Sequence, residues 1–195
     1  MAENFSISPG GEKFALPQQG DFKKEFEKLK TRVEQERNKG REIVVVMGVG
    51  FVGAVMAAIV ADTVNGKGES SKFVIGMQRP SVRSYWKIPM LNRGLSPVKA
   101  EDPEVDPMIA RCVNEKKTLI ATYTYDVLKL ADVVVVDVQC DYIKKDLGDV
   151  RTGQTDMAAL ESSLGVIAKH IPPEALVLIE TTVAPGTTEQ VAYPI

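Results

Sequence analysis

Gly48, Gly50 and Gly53 are the residues of this 195-residue chain whose type and spacing point most directly to chemistry. They sit in Gly48-Val49-Gly50-Phe51-Val52-Gly53, after the apolar run Ile43-Val44-Val45-Val46-Met47 and before the small-residue stretch Ala54–Ala61. A strand, a three-glycine turn and a helix in that order make a seat for a dinucleotide. The first glycine permits the tight turn, the second lets backbone approach a pyrophosphate, and the third lets helix and strand pack closely. The helix start adds unpaired N–H groups and a positive dipole end for the phosphates. Glycines at this spacing also occur in ordinary turns, but here the flanking strand and helix are both present. The candidate cofactor contacts are therefore Gly48, Gly50, Phe51, Val52 and Gly53.

Such a turn needs a parallel sheet behind it, and the chain supplies the pattern. After Ile43 the sequence alternates strand and helix, with further strands predicted at Lys72–Met77, Thr118–Ala121, Asp132–Val138 and Ala175–Thr181. Near-continuous β-branched runs such as Val133-Val134-Val135-Val136 suit parallel strands buried on both faces. Helices are predicted at Gly53–Val64, Pro107–Glu115, Tyr125–Leu130 and Asp156–Lys169. Right-handed crossovers would wind these into a doubly wound, Rossmann-type α/β sheet. Residues 79–106, rich in Pro, Arg and acidic residues, read as an irregular excursion over the strand ends.

The chain divides into an extension over residues 1–40 and a dinucleotide-binding domain over 41–195. Residues 1–20 carry Pro9, Gly10, Gly11, Pro17 and Gly20 and read as irregular or mobile. An extra helix follows, capped by Asp21 and running to about Asn38, with Phe22, Phe26, Leu29 and Val33 on one face. That stripe must be covered, either by the nucleotide domain or by a second subunit in a homodimer.

Composition narrows the function classes. Hydrophobic residues make 44% and charged residues 26%, as in an ordinary globular domain. A net charge of −2 gives no reason to expect nucleic acid or an anionic membrane as partner. The N-terminus lacks the basic and apolar regions of a secretory signal, and no apolar stretch approaches the roughly 20 residues of a membrane helix. The two cysteines, Cys112 and Cys140, are far apart, which fits a reducing compartment and neither disulfide nor metal. These features together imply a cytoplasmic protein.

Three further segments fall in one order: Met90-Leu91-Asn92-Arg93-Gly94-Leu95-Ser96-Pro97, Ala131-Asp132-Val133-Val134-Val135-Val136, and Thr181-Thr182-Val183-Ala184-Pro185-Gly186-Thr187-Thr188-Glu189. With the glycine turn, this set resembles the N-terminal domain of the UDP-glucose/GDP-mannose dehydrogenase family. Its members oxidise a nucleotide sugar twice, to a uronic acid, with NAD. The resemblance covers about residues 42–195 and implies NAD as cofactor and a UDP- or GDP-linked hexose as substrate. It also implies that Thr182 matches a family threonine that helps position a catalytic water and lies at the cofactor. A hydroxyl at a strand's carboxyl end fits that role, although Thr181 and Thr182 could equally cap the next helix.

The chain departs from the family pattern in three places. The family's nucleophile is a cysteine in a Gly-x-Gly-Gly-x-Cys segment further downstream. No such segment occurs among these residues, so this fragment is expected to bind cofactor without turning over substrate. The acidic residue expected on the adenosine ribose is replaced by Gln78, with Arg79 and Arg83 following. Those cations would accommodate a 2′-phosphate and admit NADP beside NAD, or else are solvated loop charges. Finally, Val138-Gln139-Cys140-Asp141 stands where the family has a Val-Pro-Thr-Pro-like segment. Nearby carboxylates would raise the Cys140 thiol pKa rather than activate it, so Cys140 reads as inert.

The remaining candidates are structural. His170 reads as a partner for a helix C-terminus, Tyr85 and Trp86 as packing residues, and Asp102, Glu104 and Asp106 as an acidic patch that no histidine or cysteine completes into a metal site. Two readings outside the sugar dehydrogenases stay open: the nucleotide domain of a hydroxyacid dehydrogenase, and a non-catalytic nucleotide-binding or scaffold module.

Overall fold

The valine- and isoleucine-rich segments form the inner strands of one parallel sheet. The computed structural model describes residues 4–143 and 153–195. In chain order these form β1 (Phe5–Ile7), β2 (Lys13–Ala15), α1 (Gln19–Arg37), β3 (Glu42–Met47), α2 (Phe51–Asp62), β4 (Lys72–Met77), α3 (Lys87–Asn92), α4 (Val105–Asn114), β5 (Leu119–Thr122), β6 (Val133–Val136), β7 (Asp141–Ile143), β8 (Gln154–Asp156), α5 (Ala158–His170) and β9 (Leu176–Ile179). A 3-10 turn spans Tyr125–Leu130 and a short π-helical turn spans Thr188–Ala192. The five-stranded sheet has the order β5-β4-β3-β6-β9, parallel throughout. This is the doubly wound sheet predicted from the sequence, with the extra N-terminal helix in place.

Alternation along β3 divides the core in two. Val44 and Val46 point to one face, where Ala54, Ala57, Ala58 and Ala61 of α2 let the helix lie close and Ile109 of α4 completes the layer. Ile43, Val45 and Met47 point to the other, beneath Leu29 and Val33 of α1 and Leu160, Leu164 and Ile167 of α5. The connection from β5 to β6 carries only the 3-10 turn, too short to roof the sheet. Helix α1 fills that place: Arg32 lies 5.3 Å over the Phe73 ring, and Thr122 Oγ1 donates to Glu25 at 3.0 Å. Leu29 and Val33 of its apolar stripe are thus covered by the chain's own sheet, while Phe22 packs edge-on against Tyr123 and Phe26 lies under Lys129.

Several local expectations are corrected. Helix α1 begins before Asp21, which sits at its third position and accepts the Gln18 N–H at 2.9 Å. The segment expected to be irregular before it contains the β1–β2 hairpin, with Ser6 and Phe14 buried; residues 1–3 of that segment lie outside the described residues. The hairpin is held by Ser6 Oγ accepting the Trp86 N–H at 3.1 Å and by a Glu12–Arg93 ion pair at 2.7 Å. The excursion over 79–106 contains the short helix α3, in which Pro89 falls in the first turn, where its missing N–H costs nothing. The hairpin β7–β8 was not anticipated either.

Two motif segments turn out to hold the sheet together. Asn92 donates from Nδ2 to Ala121 O at 2.9 Å and accepts the Ala121 N–H at 2.7 Å, which ties α3 to the edge strand β5. Asp132 accepts the Ile43 N–H at 2.8 Å and pairs with Arg37 at the end of α1. At the far end of α2, Asp62 pairs with Arg111 at 2.7 Å and Lys116 at 2.6 Å. The Arg111 hydrogen bond, followed by Lys116, holds this carboxyl well below the usual carboxylate range. A depressed carboxyl contributes stability above its unfolded value near 3.9 and loses it as pH falls. Asp62→Asn should therefore lower stability by about 1–2 kcal/mol at pH 7, with the deficit shrinking progressively below pH 4 in urea unfolding. A deficit that stays constant with pH would contradict this account.

Candidate functional site

Because all five strands run parallel, their carboxyl ends share one edge. The strand order reverses between β3 and β6, and open α/β sheets bind ligands in the crevice at that point. Gly48 follows β3, Gln78 follows β4, Asp137 follows β6 and Glu180 follows β9. Two adjoining cavities, of about 440 and about 590 Å³, meet there and share Gly50, Lys87, Asp137, Val138 and Gln139. The first extends to Gln78, Arg79 and Tyr125. The second extends past Phe51 and Val52 to Glu180, Thr181 and Thr182.

The glycines of the turn divide by what surrounds them. Gly48 has φ +104°, and a Cβ there would lie 2.2 Å from Asp137 O. A Cβ on Gly53 would lie 1.8 Å from Gly48 O. Both must be glycine for the strands and helix to meet. Gly50 differs: a Cβ there meets nothing within 4 Å. The protein itself sets no demand for glycine at 50, and the free space opens into the cleft. Beside it, the Phe51, Val52 and Gly53 N–H groups begin α2 without helical partners; the first intrahelical bond runs from Ala54 N to Gly50 O at 3.1 Å.

At the β4 end, Gln78 Oε1 accepts the Val49 N–H at 3.2 Å. The side chain thus braces the glycine turn, and its amide NH₂ remains as a donor where the family places an acceptor carboxylate. Arg79 is exposed and lines the cavity. Arg83, predicted from the sequence as a third contact, is not brought to the cleft. It is exposed in the turn leading to α3, where its carbonyl accepts Trp86 Nε1–H at 3.0 Å. The sequence reading missed Lys87, which lines both cavities and has no ion-pair partner among the described residues. Burial pushes its ammonium below the usual lysine value.

At the other end, the two threonines separate. Thr181 Oγ1 donates to Val136 O at 3.2 Å and Val138 O at 2.7 Å, locking β9 to β6. Thr182 is exposed on the cavity. Asp137 faces Glu180 across the same wall; burial and then the Glu180 charge raise its carboxyl to about 6. Cys140 lines the cavity with its sulfur 3.6 Å from Asp156 O and from Met157 Sδ. The thiol of Cys112 is fully buried and pushed up to about 11, first by burial and then by Asp62. His170 is bound at its own helix end, Nδ1 lying 2.8 Å from Val166 O. Tyr85 packs edge-on against Tyr123, with centroids 5.8 Å apart. Among the described residues, no group of three or more His, Cys, Asp or Glu side chains converges as a metal site would require, and no helix is long and apolar enough to cross a membrane.

Comparison with known proteins agrees with this geometry. The sequence model described as the UDP-glucose/GDP-mannose dehydrogenase family, NAD binding domain, matches residues 42–195. The NDP-N-acetyl-D-galactosaminuronic acid dehydrogenase of Methanosarcina mazei Go1 is 32% identical over 85% of this chain and 32% of its own, with a TM-score of 0.68. The UDP-D-ManNAc dehydrogenase of Pyrococcus horikoshii is 26% identical over 78% of this chain and 31% of its own, with a TM-score of 0.60. A GDP-mannose dehydrogenase from Pseudomonas aeruginosa, 24% identical over 77% of this chain and 31% of its own, shares the fold with a TM-score of 0.61. The chain spans about a third of the length of these structures. No curated protein sequence matches it.

The different surroundings of the glycines generate a stability test. Gly48→Ala should cost more than about 2 kcal/mol, from the positive φ and the clash with β6. Gly50→Ala should stay within about 1 kcal/mol of the parent. Equal losses in chemical denaturation would show that the turn does not have this geometry.

Proposed function

The chain belongs to the UDP-glucose/GDP-mannose dehydrogenase family and carries its NAD-binding domain; from that premise we propose that it serves an enzyme oxidising a nucleotide-linked hexose at C6 to a uronic acid. The observation that carries the reading is the open space at Gly50 beside three unpaired N–H groups. A Cβ at 50 would meet nothing within 4 Å, and the free space adjoins donors of the kind a pyrophosphate requires. When bound, NAD supplies the hydride acceptor for both oxidations. The chain's own residues bind and orient it: the Phe51, Val52 and Gly53 N–H groups hold the phosphates, and Lys87 brings a desolvated cation to the same cleft. Gln78 braces the turn and offers its NH₂ to the adenosine ribose. Thr182 stands at the end of the cleft where a water can be held for the reacting carbon. A UDP- or GDP-linked hexose is the substrate this reading assigns, and the downstream cysteine of the family would be its nucleophile.

Cofactor choice follows from Gln78 and Arg79. A carboxylate on the ribose diol would contribute about 1.5–3 kcal/mol through charge-assisted hydrogen bonds, and an amide donor cannot replace it. NAD is the cofactor, held with weak discrimination against NADP because Arg79 can meet a 2′-phosphate.

Calorimetric titration of the chain tests both points. NAD should bind within about tenfold of NADP, and Gly50→Val should weaken NAD at least about a hundredfold with an unchanged unfolding midpoint. A Gly50→Val protein that binds as the parent does would remove the pyrophosphate from the glycine turn. A hundredfold preference of the parent for NAD would show the account of Gln78 and Arg79 to be wrong.

A further inference from the structure

Asp137 and Glu180 are 43 residues apart in sequence, yet β6 and β9 bring them together. The strands pair in register through Val136 and Ile179, so the next residues on each strand emerge side by side at the cleft. Asp137 Oδ2 and Glu180 Oε2 are both buried, and neither has a hydrogen-bond partner among the described residues. Two carboxyls side by side at low exposure resist being ionised together; one proton between them satisfies an oxygen of each and removes the like-charge repulsion.

The pair also stands against the proposed phosphate seat. Asp137 Cβ lies 3.1 Å from the position a Cβ on Gly53 would take, which places this side chain beside the first turn of α2. Among the described residues, the groups that face the pair can be named element by element. From α3 comes Lys87, which lines the same cavity and pairs with neither carboxyl. From α2 come only backbone N–H groups. The segment after β6 contributes Gln139 and the Cys140 thiol, and the segment after β9 contributes Thr181, whose hydroxyl is already committed, and Thr182. Arg79 lines the adjoining cavity. Among the described residues no cation pairs with either carboxyl, so an arriving pyrophosphate meets them as an anion meeting anions when both are ionised.

Resting on the cofactor reading above, we propose that Asp137 and Glu180 are positioning residues for the dinucleotide that come to hold one proton between them when it binds, so that binding takes up a proton from solvent. The protonated pair removes one negative charge from the wall nearest the glycine turn. In the free protein the Asp137 carboxyl titrates at about 6, raised first by burial and then by Glu180. A bound anion raises it further. Affinity is then greatest below pH 6, falls as pH rises through the interval between the free and bound values, and levels off above it. One unit of added shift corresponds to a tenfold change in dissociation constant.

The test is calorimetric titration of the chain with NADH, whose uncharged ring leaves the pyrophosphate as the dominant charge. Titrations run at pH 5.5, 6.5, 7.2 and 8.0, in pairs of buffers that differ in ionisation enthalpy. The parent should take up a fraction of a proton near pH 6.5–7.2 and bind about tenfold more weakly at pH 8.0 than at pH 5.5. Asp137→Asn, which keeps the shape and fixes the pair's charge, should bind with a flat pH profile and more tightly than the parent at pH 8.0. Glu180→Gln should flatten the profile in the same direction. Binding by the parent without proton exchange overturns the proposal, as does an Asp137→Asn profile as steep as the parent's. A parent that binds no NADH at any pH would instead defeat the cofactor reading itself, and this inference with it.

Discussion

The close passage of Gly48 under the end of β6 is the constraint on which the site depends. With a Cβ position only 2.2 Å from Asp137 O, residue 48 must be glycine, and its positive φ turns the chain sharply off β3. That turn aims the start of α2, with its unpaired N–H groups, across the carboxyl edge of the sheet. The same contact fixes where Asp137 emerges, and pairing of β6 with β9 then fixes Glu180 and the threonines. One backbone approach therefore sets both halves of the cleft.

Packing around that contact explains the shape of the rest. The alanines of α2 allow it to lie directly on β3 and β4, which keeps its N-terminus close to the turn. On the opposite face, the short β5–β6 connection would leave Phe73 and Ile75 open, and α1 covers them. Residues 1–41 lie outside the family match, yet α1 is part of the same hydrophobic layer. Its buried Glu36, held by Arg32, Lys39 and Arg41, anchors the helix end just before β3 begins.

What could be read from the sequence was what repeats locally. β-branched runs gave β4 to the residue and β3, β6 and β9 to within a residue or two, and the glycine spacing gave the turn. The hairpins were not legible: their strands are three residues long, and β1 turns Ser6 rather than an apolar side chain inward. Helix α3 was hidden because six residues around Pro89 carry no helical period. Gln78, Arg79 and Thr182, read from strand ends, line the two cavities. Arg83 does not line them: proximity in sequence does not show which way a turn faces. Lys87 and the Asp137–Glu180 pair were missed for the converse reason. Their meaning comes from long-range packing: a lysine and two carboxyls look like ordinary surface charges until α3 and the paired strands bring them to one wall.

The central claim is that the space at Gly50 and the first turn of α2 form the pyrophosphate seat. A crystal structure of the chain with NAD tests it most directly. The account predicts the pyrophosphate against Gly50, within hydrogen-bond distance of the Phe51 and Val52 N–H groups, with the adenosine toward Gln78 and Arg79 and the nicotinamide toward Thr182. Cofactor bound away from the β3–β6 edge, or in the cleft with its phosphates remote from the start of α2, would contradict it.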